Sequence, residues 1–269
     1  MANLRKANDL DPHNRQVAFW LGDTYRYMRR YSEEERLLTK RLALGEEEQT
    51  RYNMLVAEMK LAQGAPAQAQ AFLEQVPLDF SPNEQIWATR FNAALYLRDH
   101  DAATRVLASI PANVIDDYFE GRPESVADGE LARARGEKEK ARAIFASVRK
   151  RLDTAWGDKL KDEAYFRQVS QLDAGLGRKE EAIREGLRAV ELMPIASDSI
   201  AGTWCVTNLA LVYAWTGERD RALEQLEIIA TKPGATPSYG DLLLNPCWDD
   251  LRGHPRFDKI VAAAKAASR

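Results

Sequence analysis

Few side chains in this sequence combine the residue types and the spacing that catalysis needs. The three histidines, His13, His100 and His254, fall in predicted turns rather than near a nucleophile or a second metal ligand. The two cysteines, Cys205 and Cys247, do not form a Cys-x-x-Cys pair, so a disulfide framework or a zinc site has little support. We expect both thiols to be reduced and Cys247 to pack beneath a terminal cap.

Sequence motifs for phosphate, dinucleotide or metal chemistry do not occur in the chain. It contains no Gly-x-x-x-x-Gly-Lys-Ser/Thr loop, no Gly-x-Gly-x-x-Gly after a strand and no His-Glu-x-x-His. Runs of glutamates at 33–35 and 46–48 fall at predicted helix starts, where acidic side chains complement the helix dipole. We interpret these glutamates as solvated surface. The sequence therefore predicts no catalytic residue, no bound metal and no cofactor, and the chain is not expected to be an enzyme.

One short stretch mixes cations with aromatic rings. It contains three arginines and three tyrosines: Tyr25, Arg26, Tyr27, Arg29, Arg30 and Tyr31. Such a cluster could bind a phosphorylated or acidic peptide; alternatively, the arginines complement the dipole at the carboxyl end of a helix. The whole chain carries a formal net charge of −3, from 38 basic and 41 acidic residues, which gives no broad attraction for nucleic acid or anionic lipid.

The elements that would position these side chains are helix pairs. Small and bulky residues recur at fixed offsets in three stretches: Gly129, Gly136, Ala141 and Phe145; Gly177, Ala182, Ala189 and Pro194; Ala210, Gly217, Ala222 and Leu226. Glycine or alanine lets two antiparallel helices approach closely, while bulky residues fill the seam between them. A period of roughly 34 residues is typical of stacked helix pairs. The frame predicts about six pairs, which begin near residues 15, 50, 84, 122, 163 and 203.

This pattern of packing residues resembles the tetratricopeptide repeat over nearly the whole chain. The resemblance implies an all-α fold: a right-handed superhelical solenoid of about six antiparallel helix pairs, with a concave face lined by the first helix of each pair. Two positions depart from the repeat, since Glu34 replaces a small residue and Gly186 replaces a bulky one. Because the family is defined by packing residues, the resemblance implies a fold more specifically than a function.

The frame divides the chain into three segments. Residues 1–14 are predicted to be the second helix of a truncated leading repeat, residues 15–232 the helical repeat array, and residues 233–269 a loop and a C-terminal capping helix. Within the last segment, Trp248, Leu251 and Phe257 should cover the open end of the array. This segment is similar to the closing part of repeat regions in large bacterial signalling and regulatory proteins.

In the repeat family, the first helix of each pair lines a concave groove that binds the partner. The frame assigns the following positions to this groove: Phe19, Asp23, Arg26, Tyr27, Met54, Glu58, Asn92, Tyr96, Glu130, Arg133, Arg167, Gln171, Trp204 and Thr207. The aromatic side chains among them, together with Trp215, are candidate interface anchors; alternatively, they are buried between adjacent repeats, an alternative that is strongest for Trp215. Members that bind chaperone tails carry Lys and Asn where this chain has Phe19 and Asp23, so that ligand is not expected.

The function expected from the resemblance is noncatalytic binding of a peptide or a partner helix in the groove, as the C-terminal scaffolding or sensing part of a larger bacterial regulator. Two alternatives stay open: a self-association module, which would make the chain a homo-oligomer, and a domain that senses a small ligand between Trp204 and Trp215. We expect no direct contact with nucleic acid and no membrane association. The absence of a secretion signal and of any run of about 18 apolar residues favours a cytoplasmic protein.

Overall fold

Helices account for the regular secondary structure of the chain wherever the structure describes it. The computed structural model describes residues 1–42, 45–77, 85–110, 124–157, 161–234 and 236–268. The α-helices are α1 (Ala2–Leu10), α2 (Arg15–Tyr27), α3 (Tyr31–Arg41), α4 (Glu46–Ala62), α5 (Pro66–Leu73), α6 (Gln85–Tyr96), α7 (His100–Ser109), α8 (Val126–Ala134), α9 (Lys138–Trp156), α10 (Glu163–Leu176), α11 (Lys179–Leu192), α12 (Ala201–Trp215), α13 (Arg219–Ile229), α14 (Tyr239–Leu244) and α15 (Pro255–Ala267). A short 3-10 helix, Pro246–Leu251, lies between α14 and α15.

Each predicted pair is present as two consecutive helices packed on each other. The pairs are α2 with α3, α4 with α5, α6 with α7, α8 with α9, α10 with α11, and α12 with α13. Each pair also contacts the next one along the chain, and α1 packs on α2. The first helices begin within 4 residues of the predicted starts. The prediction of an all-α fold built from adjacent helix pairs is therefore confirmed for the described residues, while the segment boundaries at residues 14 and 232 stay predictions.

The turn inside every pair contains one residue with a positive φ angle. These residues are Arg29 (φ 56°), Gly64 (φ 73°), Arg98 (φ 59°), Gly136 (φ 76°), Gly177 (φ 80°) and Gly217 (φ 84°). Glycine adopts this left-handed conformation without steric cost, whereas arginine adopts it with strain. Their successive spacings of 34 to 41 residues reproduce the predicted period from backbone geometry alone.

Side-chain caps define where several helices begin. The side-chain oxygens of Asn14, Asp99 and Asp162 accept hydrogen bonds from backbone amides at the starts of α2, α7 and α10, at 2.8 to 3.1 Å. Ser125 and Asp128 form a reciprocal capping box at the start of α8. Such caps satisfy amides that have no partner within the helix. His100 was predicted to lie in a turn, whereas it is the first residue of α7, which Asp99 caps.

Small residues lie in the seams, as the frame predicted. Ala141, Ala182 and Ala222 are 4%, 0% and 0% exposed. At the other end of the array, Trp248, Leu251 and Phe257 are each 1% exposed, and they pack in one apolar cluster with residues of α12 and α13. These three side chains therefore pack against the last pair, and their role as a terminal cap stays a prediction.

The close packing of small residues can be tested at the seam between α8 and α9. A Cβ atom on Gly129 would lie 2.3 Å from Cε1 of the fully buried Phe145 ring. Gly129→Ala should therefore lower the free energy of unfolding by about 1–3 kcal/mol. Urea unfolding followed by circular dichroism measures this loss, and adding Phe145→Leu should recover part of it. An unfolding midpoint equal to that of the wild type would mean that the seam is looser than described.

Candidate functional site

A buried charge cluster joins the first helix of one pair to the first helix of the next. Arg26 on α2 pairs with Glu34 at 2.7 Å and with Glu58 on α4, and its Nη1 lies 3.7 Å from Asp23 Oδ1. Thr89 on α6 donates a hydrogen bond to Glu58 at 3.4 Å. Burial raises the pKa of all three carboxyl groups, that of Glu58 to about 7, because a single guanidinium offsets only part of their lost hydration.

The acidic runs that we interpreted as solvated surface are partly buried, so that interpretation is wrong for two of their members. Glu34 is 0% exposed and Glu48 is 4% exposed. Glu34 is covered by the pair with Arg26, and Glu48 pairs with both Arg15 and Arg41 at 2.9 Å. Position at a helix start favours a carboxylate, but the arginines of neighbouring helices decide which carboxylates are buried.

The stability of the wild-type chain should fall as the pH rises from about 4.5 to about 7. Glu58 ionises near 4.5 in the unfolded chain and near 7 in the folded chain, so the folded state binds more protons between these values. Burial also raises the pKa of Glu185 to about 7, which adds to the slope. Urea unfolding at several pH values measures this slope. Glu58→Gln should remove the contribution of about one proton, and an unchanged slope would contradict the assigned environment.

Hydrogen bonds join the first helices later in the chain. Gln171 on α10 donates to Glu130 on α8 at 2.6 Å. Asn208 on α12 donates to the backbone oxygen of Arg167 on α10 at 3.0 Å and to the Ser170 hydroxyl at 2.7 Å. Several residues predicted to line the groove therefore form contacts between successive first helices, joining α2 to α4, α4 to α6, α8 to α10 and α10 to α12. We call the first helices of the six pairs the row.

The C-terminal part of the chain crosses this row. We call residues 238–252, which comprise α14 and the 3-10 helix, the strap. At its start, a Cβ atom on Gly240 would lie 1.8 Å from the backbone oxygen of Leu61, so the strap backbone contacts α4 directly. The Tyr96 hydroxyl on α6 donates to Asp241 at 3.1 Å, and the Trp248 indole donates to the same carboxylate at 2.9 Å.

Ion pairs hold the second half of the strap. Arg98, after α6, forms two bonds of 2.7 Å to Asp249, and Arg133 on α8 bonds to Asp250 at 2.6 Å. The Arg133 guanidinium also lies 4.4 Å from the ring centroid of Trp215, whose indole donates to the backbone oxygen of Cys247 at 3.1 Å. The strap therefore contacts α4, α6, α8 and α12, and it occupies Tyr96 and Arg133, two residues predicted to bind a partner.

The stretch before the strap binds the first pair. Arg29 is 3% exposed and donates to the backbone oxygens of Ala230 and Pro237. The Gly234 amide donates to the Tyr27 backbone oxygen at 2.8 Å. With Arg26 held by carboxylates and Arg30 paired with Glu33, the arginines of the basic and aromatic cluster make intramolecular contacts. The first and last pairs of the array are thus joined.

The remaining predicted groove residues divide between core and surface. Met54 is 5% exposed and belongs to the core, and Asn92 is half-buried. The Phe19 ring packs edge-on against Trp20, which is 53% exposed, with a centroid separation of 5.4 Å. On α12, Trp204 is 40% exposed, and Thr207, one turn further along, lies 3.3 Å from the Thr236 hydroxyl. Trp204 is the most exposed of the predicted aromatic anchors.

Burial disfavours the thiolate form of both cysteines. Burial raises the pKa of Cys205 to about 11 and that of Cys247 well above its usual range. Cys247 packs against the apolar cluster of α12 to α15, as the sequence predicted. Among the described residues, no group of three or more His, Cys, Asp or Glu side chains is arranged to hold a metal ion. None of the described helices is both long enough and apolar enough to cross a lipid bilayer.

The strap is a structural element that the sequence analysis missed. Residues 233–269 were predicted to contain a loop and one capping helix, whereas the described part contains α14, a 3-10 helix and α15. Ser238, the N-cap of α14, was a local signal for the additional helix. Searches against protein-family models and against curated proteins find no match for this chain.

Proposed function

We propose that the chain is a noncatalytic interaction module, built like a tetratricopeptide-repeat solenoid, that binds a peptide or a partner helix along the row of first helices. One observation carries the proposal: the row already binds a polypeptide segment, because the strap packs on it through backbone contact at Gly240 and side-chain contacts at Tyr96 and Arg133. The further idea that the module serves a larger bacterial regulator rests on the family resemblance alone.

The part of the row that the strap leaves uncovered is the proposed partner site. The strap lies on α4, α6 and α8 and contacts the end of α12 through Trp215. Arg167 and Gln171 on α10 and Trp204 on α12 were also assigned to the row. Trp204 is 40% exposed, and an exposed tryptophan beside polar side chains is the composition found at interface hot spots.

Peptide selection followed by affinity measurement tests this site. Peptides would be selected against the folded chain from a random display library, and their affinities measured by calorimetry for the wild type and two variants. Trp204→Ala should weaken binding by about tenfold or more, since an anchor side chain contributes about 2 kcal/mol. Ile228→Ala is the matched control, because Ile228 is 44% exposed on α13, a second helix. Equal losses in both variants, or none in either, would contradict the proposed site.

A further inference from the structure

A cleft of about 250 Å³ opens between α2, α3 and α4, at the start of the row. Ligand pockets in proteins commonly measure about 300–1,000 Å³, so this cleft has room for a small molecule or for the end of one long side chain. Asp23 on α2 is one of the residues that line it. The contacts of this carboxylate with the rest of the protein indicate what the cleft binds.

Asp23 is buried without a hydrogen-bond donor. The residue is 9% exposed, and within the described part of the chain no group donates a hydrogen bond to its carboxylate. The cation beside it is Arg26, whose Nη1 lies 3.7 Å from Oδ1, beyond hydrogen-bond distance. A buried carboxylate normally accepts several hydrogen bonds or pairs closely with a cation. Asp23 does neither.

Arg26 cannot supply the missing donors, because its three nitrogens are engaged elsewhere. Nε and Nη2 donate to Glu34 at 2.9 and 2.7 Å, and Nη1 donates to Glu58. Burial accordingly raises the pKa of Asp23, and Arg26 lowers it by a smaller amount. A donor that stabilises the ionised carboxylate therefore has to enter from the cleft.

Apolar groups line the cleft together with Asp23. Phe19 lies one helical turn before Asp23 on α2, so the two side chains share a face of that helix. Leu38 on α3 and both Tyr52 and Leu55 on α4 line the same cleft. Apolar surfaces of this kind favour contact with methylene groups, and the face of an aromatic ring attracts a cation. The lining therefore suits an alkyl chain that ends in a positive charge.

The other charged side chains of the cleft act little on Asp23. Arg15, the first residue of α2, precedes Asp23 by eight residues, which corresponds to about 12 Å of helical rise. Arg26 is the cation that lowers the pKa of Asp23. The negative charge of Asp23 is therefore offset only in part, by a guanidinium that already donates to two other carboxylates.

We propose that this cleft binds a primary ammonium group at the end of an alkyl chain. The N–H groups of the ammonium donate to the Asp23 carboxylate, and the methylene groups lie against Phe19 and Tyr52. Free alkylamines and the side chain of a lysine within a peptide both present this chemistry. The site lies on α2, α3 and α4, outside the proposed partner site on α10 and α12, and does not depend on it.

A nuclear magnetic resonance titration of the wild-type chain with three matched probes tests the chemistry of the site. Butylamine carries both the charge and the N–H donors, 1-butanol lacks the charge, and butyltrimethylammonium keeps the charge but lacks the donors. Butylamine should bind about tenfold or more tightly than either analogue, because hydrogen bonds between charged groups are the stronger ones. Equal affinity for all three probes, or no binding of butylamine, would overturn the proposal.

A fourth probe separates the two sources of the ammonium group. Nα-acetyl-lysine methylamide imitates a lysine within a peptide, whereas butylamine imitates a free amine. Tighter binding of the lysine derivative would support the site with a peptide lysine as its ligand, and tighter binding of butylamine would support it with a free amine.

Substitution of the carboxylate tests its role directly. Asp23→Asn should reduce the affinity for butylamine by about tenfold or more while leaving that for 1-butanol unchanged. The matched control is Asp9→Asn, which removes a carboxylate from an exposed position on α1. Circular dichroism would establish the fold of each variant, and wild-type affinity for butylamine in folded Asp23→Asn would refute the site. If Asp23→Asn does not fold, the probe comparison on the wild type decides.

Discussion

Replacement of Gly240 by alanine is expected to lower the free energy of unfolding by about 3 kcal/mol. A Cβ atom at this position would lie 1.8 Å from the backbone oxygen of Leu61 and 2.7 Å from the backbone nitrogen of Gly64. Both atoms belong to the backbone at the end of α4, so neither can move away as a flexible side chain could. The strap would have to lift from α4, and the hydrogen bond from Tyr96 to Asp241 would weaken with it.

Urea unfolding of purified wild type and variant measures this effect. Gly22→Ala is the matched control, because a Cβ atom there would meet only Leu37, at 3.9 Å, inside a regular helix. That control should be neutral or stabilising, since alanine has a higher helix propensity than glycine by about 1 kcal/mol. Equal stabilities of Gly240→Ala and the wild type would show that the strap does not dock closely on α4.

Removal of the Arg26 charge should be at least as damaging. Arg26→Met leaves Glu34, Glu58 and Asp23 buried without their common cation, and breaking a buried pair from one side costs about 3–5 kcal/mol. The loss should be greatest at neutral and alkaline pH. It should become smaller as the pH falls from about 7 towards 4.5, because the raised pKa values of the three carboxyl groups let them take up protons in the folded state, which removes the repulsion among them.

Denaturant unfolding of Arg26→Met at neutral and acidic pH tests both parts of this prediction. The control, Arg30→Met, removes a half-exposed arginine that pairs with Glu33 and lies over the Tyr25 ring. Such partly solvated contacts contribute about 1 kcal/mol or less. If both variants lost the same small amount, the charge cluster would be more hydrated than the structure describes.

The helix pairs could be predicted from sequence because their determinants are local. Ala141, Ala182 and Ala222 recur at fixed offsets, and each lies in a seam whose two helices are consecutive in the chain. The turn glycines, such as Gly136 and Gly177, likewise mark positions where the backbone has a positive φ angle. That conformation is set by the few residues of the turn itself. The repeated spacing of small and bulky residues is therefore enough to predict which helices pair.

The strap could not be predicted in the same way because its partners are distant in sequence. Tyr96 and Asp241 are 145 residues apart, and Arg29 and Pro237 are 208 residues apart. The frame assigned Tyr96 and Arg133 to the row of first helices, but nothing near them indicates that the chain itself covers that row. Likewise, the burial of Glu34 depends on Arg26 of a neighbouring helix rather than on its own helix start.

The central claim is that the strap, a segment of the same chain, packs on the row of first helices. Carbodiimide cross-linking tests this claim most directly. Arg98→Lys would place an amine beside Asp249, where Arg98 now forms two bonds of 2.7 Å. Zero-length cross-linking followed by mass spectrometry of the monomer fraction should join position 98 to Asp249, with the native Lys179–Glu218 pair as the internal positive control. Recovery of the control cross-link without the link to Asp249 would contradict the account.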